Sequence, residues 1–563
     1  MVCDRGVVDR TAKSAEVARG GGVGMILVNL VDSSTDTDQH AVPTVHVNAP
    51  EALELKAKVA ANPAITVALK ATDTTGKPLP PTPQIAGFSS RGPLLATDSD
   101  LLKPDITAPG VAVLAGVSTV GSNGAQFGFL SGTSMASPHV AGLGALVLGK
   151  NPTWSPAAVK SAMMTTAYPL KTATGGVETD VLAVGAGHIN PATVLSPGLV
   201  YDQNEDDYLS FIEGTGVALG IDGIEPVAAK DTNVPSFALG NLTGRTEVTR
   251  TVTAVTPGIY RATSNVPGVK VTVTPSILNF SAAGETRTFK VSFENQTAPF
   301  GSFAAGSLTW SGQGKKVTSP VAVRPQALNA PADAAFTSAG ADGSGSYDVI
   351  SGTNTPIQMT LEGLSKAETA DIELVPGASA NANNASNAFK DVVVPDGATA
   401  ARFSVRSDDP TADFDMFLIT PAGTVEQVAT SDASETFVLE DPAPGTYRII
   451  ANLYSSVGNK ATSGTIEGVA LGANENNATL TPNPLALANG TTGAVTLNWT
   501  GLTAGSYVGR VSYAGSSAVT YVSVAVGGAG AVAAAPAAEV PTVSPADKLV
   551  TGPREAITPT GNK

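Results

Sequence analysis

Two hydrophobic periodicities divide the chain. Up to about residue 225, short apolar runs alternate with stretches whose apolar residues recur every three or four positions, which is typical of strands alternating with helices. Beyond about residue 230, apolar and polar residues alternate, as in residues 269–273 and 288–293. That period predicts half-buried β-strands. The chain is therefore predicted to be multidomain, α/β at first and all-β afterwards.

The first 83 residues are predicted to form a small α/β module. A helix is expected over residues 13–19, a buried strand over 23–30 and a second helix over 51–60. Residues 71–84, rich in Thr and Pro, are expected to be a hinge. The next predicted domain covers residues 84–225.

A segment of that second domain, residues 132–142, carries the candidate chemistry. The apolar residues that follow Ser134 recur at helical spacing, and Pro138 is expected in the first turn. Ser134 is thus predicted at a helix N-terminus, where unpaired N–H groups and the helix dipole can hold an oxyanion. Gly142 and Gly144 are unfavourable inside a helix, which indicates a closely passing backbone and a buried helix.

These residues resemble those of the subtilisin-like serine proteases. Residues 132–142 read Gly-Thr-Ser-Met-Ala-Ser-Pro-His-Val-Ala-Gly, and related motifs cover residues 88–93, 103–110 and 185–191. The resemblance implies the C-terminal part of a doubly wound parallel sheet, with Ser134 as the nucleophile that forms an acyl-enzyme with a peptide substrate. It also implies that residues 1–83 are a protease-associated domain, truncated at its start and inserted in the catalytic domain.

The β-rich remainder is predicted to contain several domains. Residues 229–325 resemble a fibronectin-III-like β-sandwich, with Trp310 in its core and a hairpin turn at 311–314. Residues 330–470 resemble a prepeptidase C-terminal domain, and residues 471–527 supply further β-strands. Residues 528–563, rich in Ala and Pro, are predicted to be disordered.

A serine hydroxyl needs an imidazole to accept its proton and a carboxylate to orient that imidazole. The chain has four histidines. His139 follows Ser134 on the same helix and is expected to point elsewhere, while His40 and His46 belong to the first module. His188 follows the serine, whereas the family order is aspartate, histidine, serine. None has the His-Gly-Thr context of the family.

The other catalytic groups of the family are also missing by the same comparison. No acidic residue before the serine has the Asp-Thr/Ser-Gly context, and Asp105 is interpreted as structural. Asn29 and Asn123 do not match the asparagine of the oxyanion hole. The chain alone is therefore predicted to be inactive, and residues 85–202 are expected to be poorly stable in isolation, with exposed sheet edges and apolar helix faces.

The composition limits which binding partners and which cellular location we expect for the protein. With 563 residues and a formal net charge of −15, neither nucleic acid nor a membrane is expected as a partner. The single cysteine, Cys3, excludes an internal disulfide. No apolar run is long enough to span a bilayer. The composition suits an extracellular or cell-surface protein, and because the chain opens without a secretory signal, we expect that its front has been lost.

A cluster of acidic residues raises the question of a metal. Asp408, Asp409, Asp413 and Asp415 lie near a strand start. Calcium accepts carboxylate ligands, but EF-hand spacing is absent and a solvated loop is favoured. We predict no metal and no cofactor.

Two hypotheses for function follow. The first is a secreted subtilisin-type endopeptidase acting on proteins or peptides, with C-terminal β domains that are candidates for binding an extracellular surface. The alternative is a decayed, non-catalytic secreted binding protein that retains its protease-associated and β-sandwich domains. The intact sequence around Ser134 favours the first, because a decayed enzyme has no reason to keep it.

Overall fold

The structure is a computed structural model. It describes residues 1–31, 33, 35, 38–70, 81–120, 124, 126–377, 385–430 and 433–527. Most of the predicted hinge at 71–84, the predicted tail at 528–563 and Asn123 lie outside the described residues. The chain divides into two compact units, Met1–Pro325 and Gln326–Lys563.

The first 70 residues form a three-stranded parallel sheet in the order β1-β2-β3. Helices cover both faces of the fully buried central strand, with Val17 packing on one side and Ala52 on the other. This is the usual consequence of βαβ crossovers, and it confirms the predicted helices and buried strand. The elements are β1 (Val2–Asp4), α1 (Arg10–Arg19), β2 (Met25–Val28), β3 (Thr44–Val47) and α2 (Glu51–Ala61).

Residues 81–225 contain four α-helices and three short strands within the described residues, and the third strand, Leu199–Val200, belongs to the β-sandwich that follows. The predicted helix start at Ser155 is confirmed: its hydroxyl accepts from Ala158 N at 2.9 Å, and Pro156 is the first helical residue. The elements are β4 (Val113–Gly116), β5 (Phe127–Leu130), α3 (Thr133–Lys150), α4 (Pro156–Thr165), α5 (Val181–Val184) and α6 (Glu205–Gly214).

The predicted doubly wound parallel sheet is not formed by the described residues of this segment. Strands β4 and β5 form an antiparallel pair. One parallel contact, between Thr107 and His188, is a single-residue bridge. A parallel sheet needs several neighbouring strands joined by crossovers, and this segment does not contain a row of them.

A β-sandwich follows, and its sheets have the strand orders β10-β12-β8-β6 and β11-β9-β13-β14-β7. Trp310 is 0% exposed in its core, as predicted, with its ring 5.0 Å from that of Phe289. Tyr201, just after β6, is buried in the same core. The strands are β6 (Leu199–Val200), β7 (Phe237–Leu242), β8 (Arg245–Ala254), β9 (Gly258–Asn265), β10 (Val269–Thr274), β11 (Ile277–Phe280), β12 (Thr286–Asn295), β13 (Ala304–Gly312) and β14 (Lys315–Pro325).

The hairpin predicted at residues 311–314 is confirmed. Strand β13 ends at Gly312 and β14 begins at Lys315. The two connecting residues, Gln313 and Gly314, have φ values of 52° and 68°. Two consecutive positive φ angles are typical of a two-residue type I′ turn, whose twist matches that of the flanking strands.

The second unit contains one sandwich inserted into another. Sheets β15-β17-β28-β27 and β16-β30-β29-β18 form the outer sandwich, and sheets β19-β26-β21-β24 and β20-β25-β22-β23 form the inserted one. The sequence-derived division at residue 470 does not follow these sheets, because β16 pairs with β30 in parallel. The outer strands are β15 (Leu328–Asn329), β16 (Asp333–Ser338), β17 (Gly343–Ser351), β18 (Met359–Lys366), β27 (Ala478–Thr481), β28 (Thr492–Trp499), β29 (Gly505–Tyr513) and β30 (Val519–Val526). The inserted strands are β19 (Glu368–Leu374), β20 (Asn387–Val394), β21 (Ala400–Ser407), β22 (Asp413–Ile419), β23 (Val425–Val428), β24 (Ser434–Glu440), β25 (Gly445–Ser455) and β26 (Thr462–Leu471).

Candidate active site

Ser134 is the second residue of α3, the position predicted for it. It is exposed, and its hydroxyl forms no hydrogen bond with any residue that the structure describes. The preceding Gly132 is the N-cap and supplies no side-chain cap. The first N–H groups of a helix have no partners within the helix, and the dipole is positive there. An anionic oxygen forming beside Ser134 would therefore be stabilised.

The start of α3 is held by the loop over residues 103–112. Gly132 N donates to Gly110 O at 2.8 Å, and Ala112 N donates to Ser131 Oγ at 2.9 Å. A Cβ added at Gly110 would lie 3.0 Å from Gly132 O. Glycine thus allows this close approach of the loop to the helix.

Asp105 anchors the same loop, in agreement with its structural interpretation. Its carboxylate accepts from Lys103 Nζ at 2.6 Å and pairs with Lys160 Nζ, on α4, at 2.9 Å. Its carbonyl accepts from Ala186 N at 3.0 Å. The sequence analysis did not predict that this loop holds the start of the Ser134 helix. Gly110, in the 103–110 motif, was the residue that could have indicated this close contact.

The sequence predicted Pro138 in the first turn of the helix, but the structure places it in the second turn. Helix α3 begins at Thr133, so Pro138 is its sixth residue. Because proline has no N–H, the carbonyl of Ser134, four residues earlier, lacks its helical donor. The nucleophile candidate therefore lies at a weakened point of the backbone ladder.

The prediction that α3 is a buried helix holds for only one stripe of its surface. Leu143 and Val147 are buried, but Leu146 is 65% exposed and Leu148 is 42% exposed. No described atom lies within 4 Å of a Cβ built on Gly142, so the closely passing backbone is not found there. The neighbouring hairpin also exposes apolar side chains, namely Leu114, Phe127, Phe129 and Leu130.

The four histidines have other environments, and none of them hydrogen-bonds Ser134 in the described structure. His139 Nδ1 lies 2.8 Å from Met135 O, within α3. The ring of His188 packs on Tyr168 at 5.0 Å between centroids.

The remaining two histidines lie in the first module. His46 Nε2 is 2.8 Å from Asn29 Oδ1. His40 has a buried Nδ1 without a hydrogen-bond partner among the described residues, and burial lowers its pKa. Asn29 is 1% exposed and donates to Asn48 Oδ1 at 2.9 Å. This amide is occupied within its own module.

Of the acidic residues at 408–415, Asp409 is hydrogen-bonded within its loop, and Asp413 and Asp415 lie on β22. The hydroxyl and the amide of Thr411 hydrogen-bond to Asp409 and lower the pKa of that carboxyl. Burial, together with the nearby charge of Asp413, raises the pKa of Asp415. Across the described ranges, no group of three or more His, Cys, Asp or Glu side chains is placed to hold a metal ion.

Comparison with known proteins places this site in a family. Residues 19–216 match the Subtilase family, and residues 231–323 match a Fibronectin type-III domain. Subtilisin-like protease SBT1.7 of Arabidopsis thaliana is 37% identical over 358 residues, which cover 57% of this chain and 47% of that protein. Subtilisin-like serine-protease S of Lotus japonicus is 36% identical over 342 residues, covering 56% and 44%.

The chain spans about half the length of the curated relatives it matches. Among solved structures, the secreted serine protease VesC from Vibrio cholerae aligns with 42% of this chain and 50% of its own, at 10% identity and a TM-score of 0.13. A score this low carries no argument about the fold. In the described part of the chain, no helix is both long and apolar enough to cross a bilayer.

Residues 19–216 of the chain therefore form a segment similar to the Subtilase family. This segment is followed by a fibronectin-III-like β-sandwich.

Proposed function

We propose that this chain is part of a subtilisin-type serine endopeptidase in which Ser134 attacks the peptide bond, and that the chain alone does not cleave peptides. The general base and its orienting carboxylate come from polypeptide that this chain does not contain. The observation that carries the proposal is the exposed Ser134 hydroxyl at the start of α3, with no base hydrogen-bonded to it.

The chemistry that Ser134 can contribute is nucleophilic. Its Oγ attacks the substrate carbonyl carbon, and the leaving amine departs from the tetrahedral intermediate to give an acyl-enzyme that water hydrolyses. N–H groups in the first turn of α3 stabilise the oxyanion. The Oγ proton needs an imidazole acceptor. Without one, we expect kcat to fall by a factor of about 10⁶, the size of the loss in subtilisin when its catalytic histidine is removed.

Exposed apolar side chains on α3 and on the preceding hairpin support the second half of the proposal. Leu146, Leu148 and the hairpin residues Phe127 and Phe129 are between 42% and 68% exposed. Large apolar side chains exposed on neighbouring elements are typical of a surface that another polypeptide covers. The polypeptide we propose is the remainder of the subtilase catalytic domain, which would bring the histidine and the aspartate to Ser134.

We also propose functions for the domains on either side of the catalytic segment. The α/β module of residues 1–70 is a protease-associated domain inserted in the catalytic domain. The working protein is extracellular, acts on protein or peptide substrates, and uses the β domains after residue 325 for surface binding.

Complementation tests the proposal. The chain is mixed with the portion of protease SBT1.7 that lies outside the aligned region, and cleavage of a fluorogenic casein substrate is followed. We expect cleavage from the mixture, none from either partner alone, and none when Ser134→Ala replaces the native chain. Cleavage by the chain alone, or by the Ser134→Ala mixture, would contradict the proposal.

A further inference from the structure

The two sheets of the fibronectin-III-like sandwich differ in how their basic side chains are paired. On the sheet β10-β12-β8-β6, Lys290 Nζ lies 2.8 Å from Glu247 Oε1, and Lys270 Nζ lies 3.6 Å from Glu294 Oε2. The five strands of the other sheet, all fully described, contain no Asp or Glu. Basic residues on this acid-free sheet therefore have no carboxylate partner within it.

Three basic residues lie close together at one end of the acid-free sheet. Arg261 on β9 and Lys316 on β14 both stand opposite Ser311 of the intervening β13, so their backbones are about 10 Å apart. Lys315 is adjacent in sequence and donates to Ser196 Oγ at 2.8 Å. Within the described ranges, none of the three forms an ion pair. The chain has 33 basic and 48 acidic residues, so this group is a positively charged region on a protein whose net charge is negative.

The outward surface beside these cations carries hydrogen-bonding side chains. Thr309 stands opposite both Thr263 and Thr318, and Ser307 stands opposite Asn265. Hydroxyl and amide groups can both donate and accept. A peptide backbone lying across the strands would find partners for its own N–H and C=O groups.

A cleft of about 880 Å³ separates part of this surface from the subtilase segment. Ser307, Lys315, Lys316 and Thr318 line it on the sandwich side, and Tyr168, Glu178 and Asn190 line it on the other. The volume lies within the range of about 300–1,000 Å³ that is usual for ligand sites. Tyr168 is 37% exposed, so its ring offers an apolar contact opposite the polar wall.

We propose that this cleft binds an extended, acidic segment of a protein substrate, with its carboxylates against Lys315 and Lys316. Calling the ligand a substrate rests on the proposed endopeptidase function; the binding itself requires no catalysis. The formal charge of −15 opposes a nucleic-acid ligand. A local cation group without carboxylate partners complements carboxylates instead.

Fluorescence anisotropy on the intact chain tests the proposal. Two labelled peptides are compared, one alternating Glu with Thr and one alternating Gln with Thr. The double variant Lys315→Gln/Lys316→Gln is compared with Lys270→Gln/Lys290→Gln, which makes the same change in net charge on the opposite sheet. Thermal unfolding of both variants checks that the fold is kept.

We expect the native chain to bind the Glu peptide and to bind it more weakly as salt is raised. Because each exposed charge pair contributes little, losing two of them should weaken binding by about fivefold. The control variant should match the native chain. Equal binding of the Gln peptide, an equal loss in the control variant, or tighter binding of an acidic oligosaccharide would overturn the proposal. Covalent labelling of Ser134 is a separate readout, so failure of the endopeptidase proposal is distinguishable from failure of this one.

Discussion

Two neighbouring residues of α3, one buried and one exposed, provide a matched test of how this helix is packed. Val147 is 0% exposed and belongs to a cluster with Leu143, Ala158 and Ala162, whereas Leu146 is 65% exposed. Val147→Ala removes two buried carbon atoms at about 0.8 kcal/mol each, and the residual cavity brings the expected loss to about 2 kcal/mol. Leu146→Ala removes an exposed side chain, so its effect should stay within about 0.5 kcal/mol.

Amide hydrogen exchange of peptides covering residues 133–165 measures this difference locally, which matters because a multidomain chain does not unfold in one step. We expect Val147→Ala to speed exchange in this segment by about 30-fold and Leu146→Ala to leave it nearly unchanged. In the complemented protease, Leu146→Ala should also weaken the assembly of the two polypeptides, because Leu146 would then be covered. If Leu146→Ala destabilises the isolated chain as much as Val147→Ala, the face is already covered and our reasoning is refuted.

The remaining predictions concern the sandwich and the first module. A fragment of residues 229–325 lacks Tyr201, which is 0% exposed in the sandwich core; an aromatic of this kind contributes about 4 kcal/mol. Urea unfolding followed by circular dichroism should therefore show a lower midpoint than for residues 196–325, and equal midpoints would contradict the assignment. Burial, opposed by Asp38 and Asp9 and reinforced by Arg10, lowers the pKa of His40. The folded module thus favours neutral His40, so its contribution is complete above about pH 6.5 and lost as pH falls through the folded pKa. Protection factors of residues 1–70, obtained by correcting hydrogen exchange for the pH dependence of intrinsic amide exchange, should fall on acidification, and His40→Gln should reduce that fall; an unchanged pH profile in the variant would contradict the prediction.

Local chemistry was predictable from the sequence, because it depends on a few adjacent residues. The N-cap at Ser155 with Pro156 after it, and the turn at Gln313 and Gly314, follow from backbone preferences alone. The pairing of strands that lie far apart in the sequence was not predictable. Strand β16 pairs with β30 across more than 180 residues, and an alternating pattern gives a strand no preference for one distant partner over another.

The same distinction applies to the candidate site: its local features were predicted, and its contacts with distant segments were not. The position of Ser134 at a helix start follows from local periodicity and is confirmed. The interpretation of Gly142 as a close-packing residue failed, because a small residue permits a close neighbour without supplying one. The cation group at Arg261 and Lys316 was not visible either, since its members are joined only by strand register.

Labelling of the isolated chain with a fluorophosphonate probe, read by mass spectrometry at Ser134, tests the central claim most directly. Our account predicts no labelling above that of the Ser134→Ala variant, because the hydroxyl has no imidazole to accept its proton. Rapid, stoichiometric labelling of Ser134 in the isolated chain would contradict it.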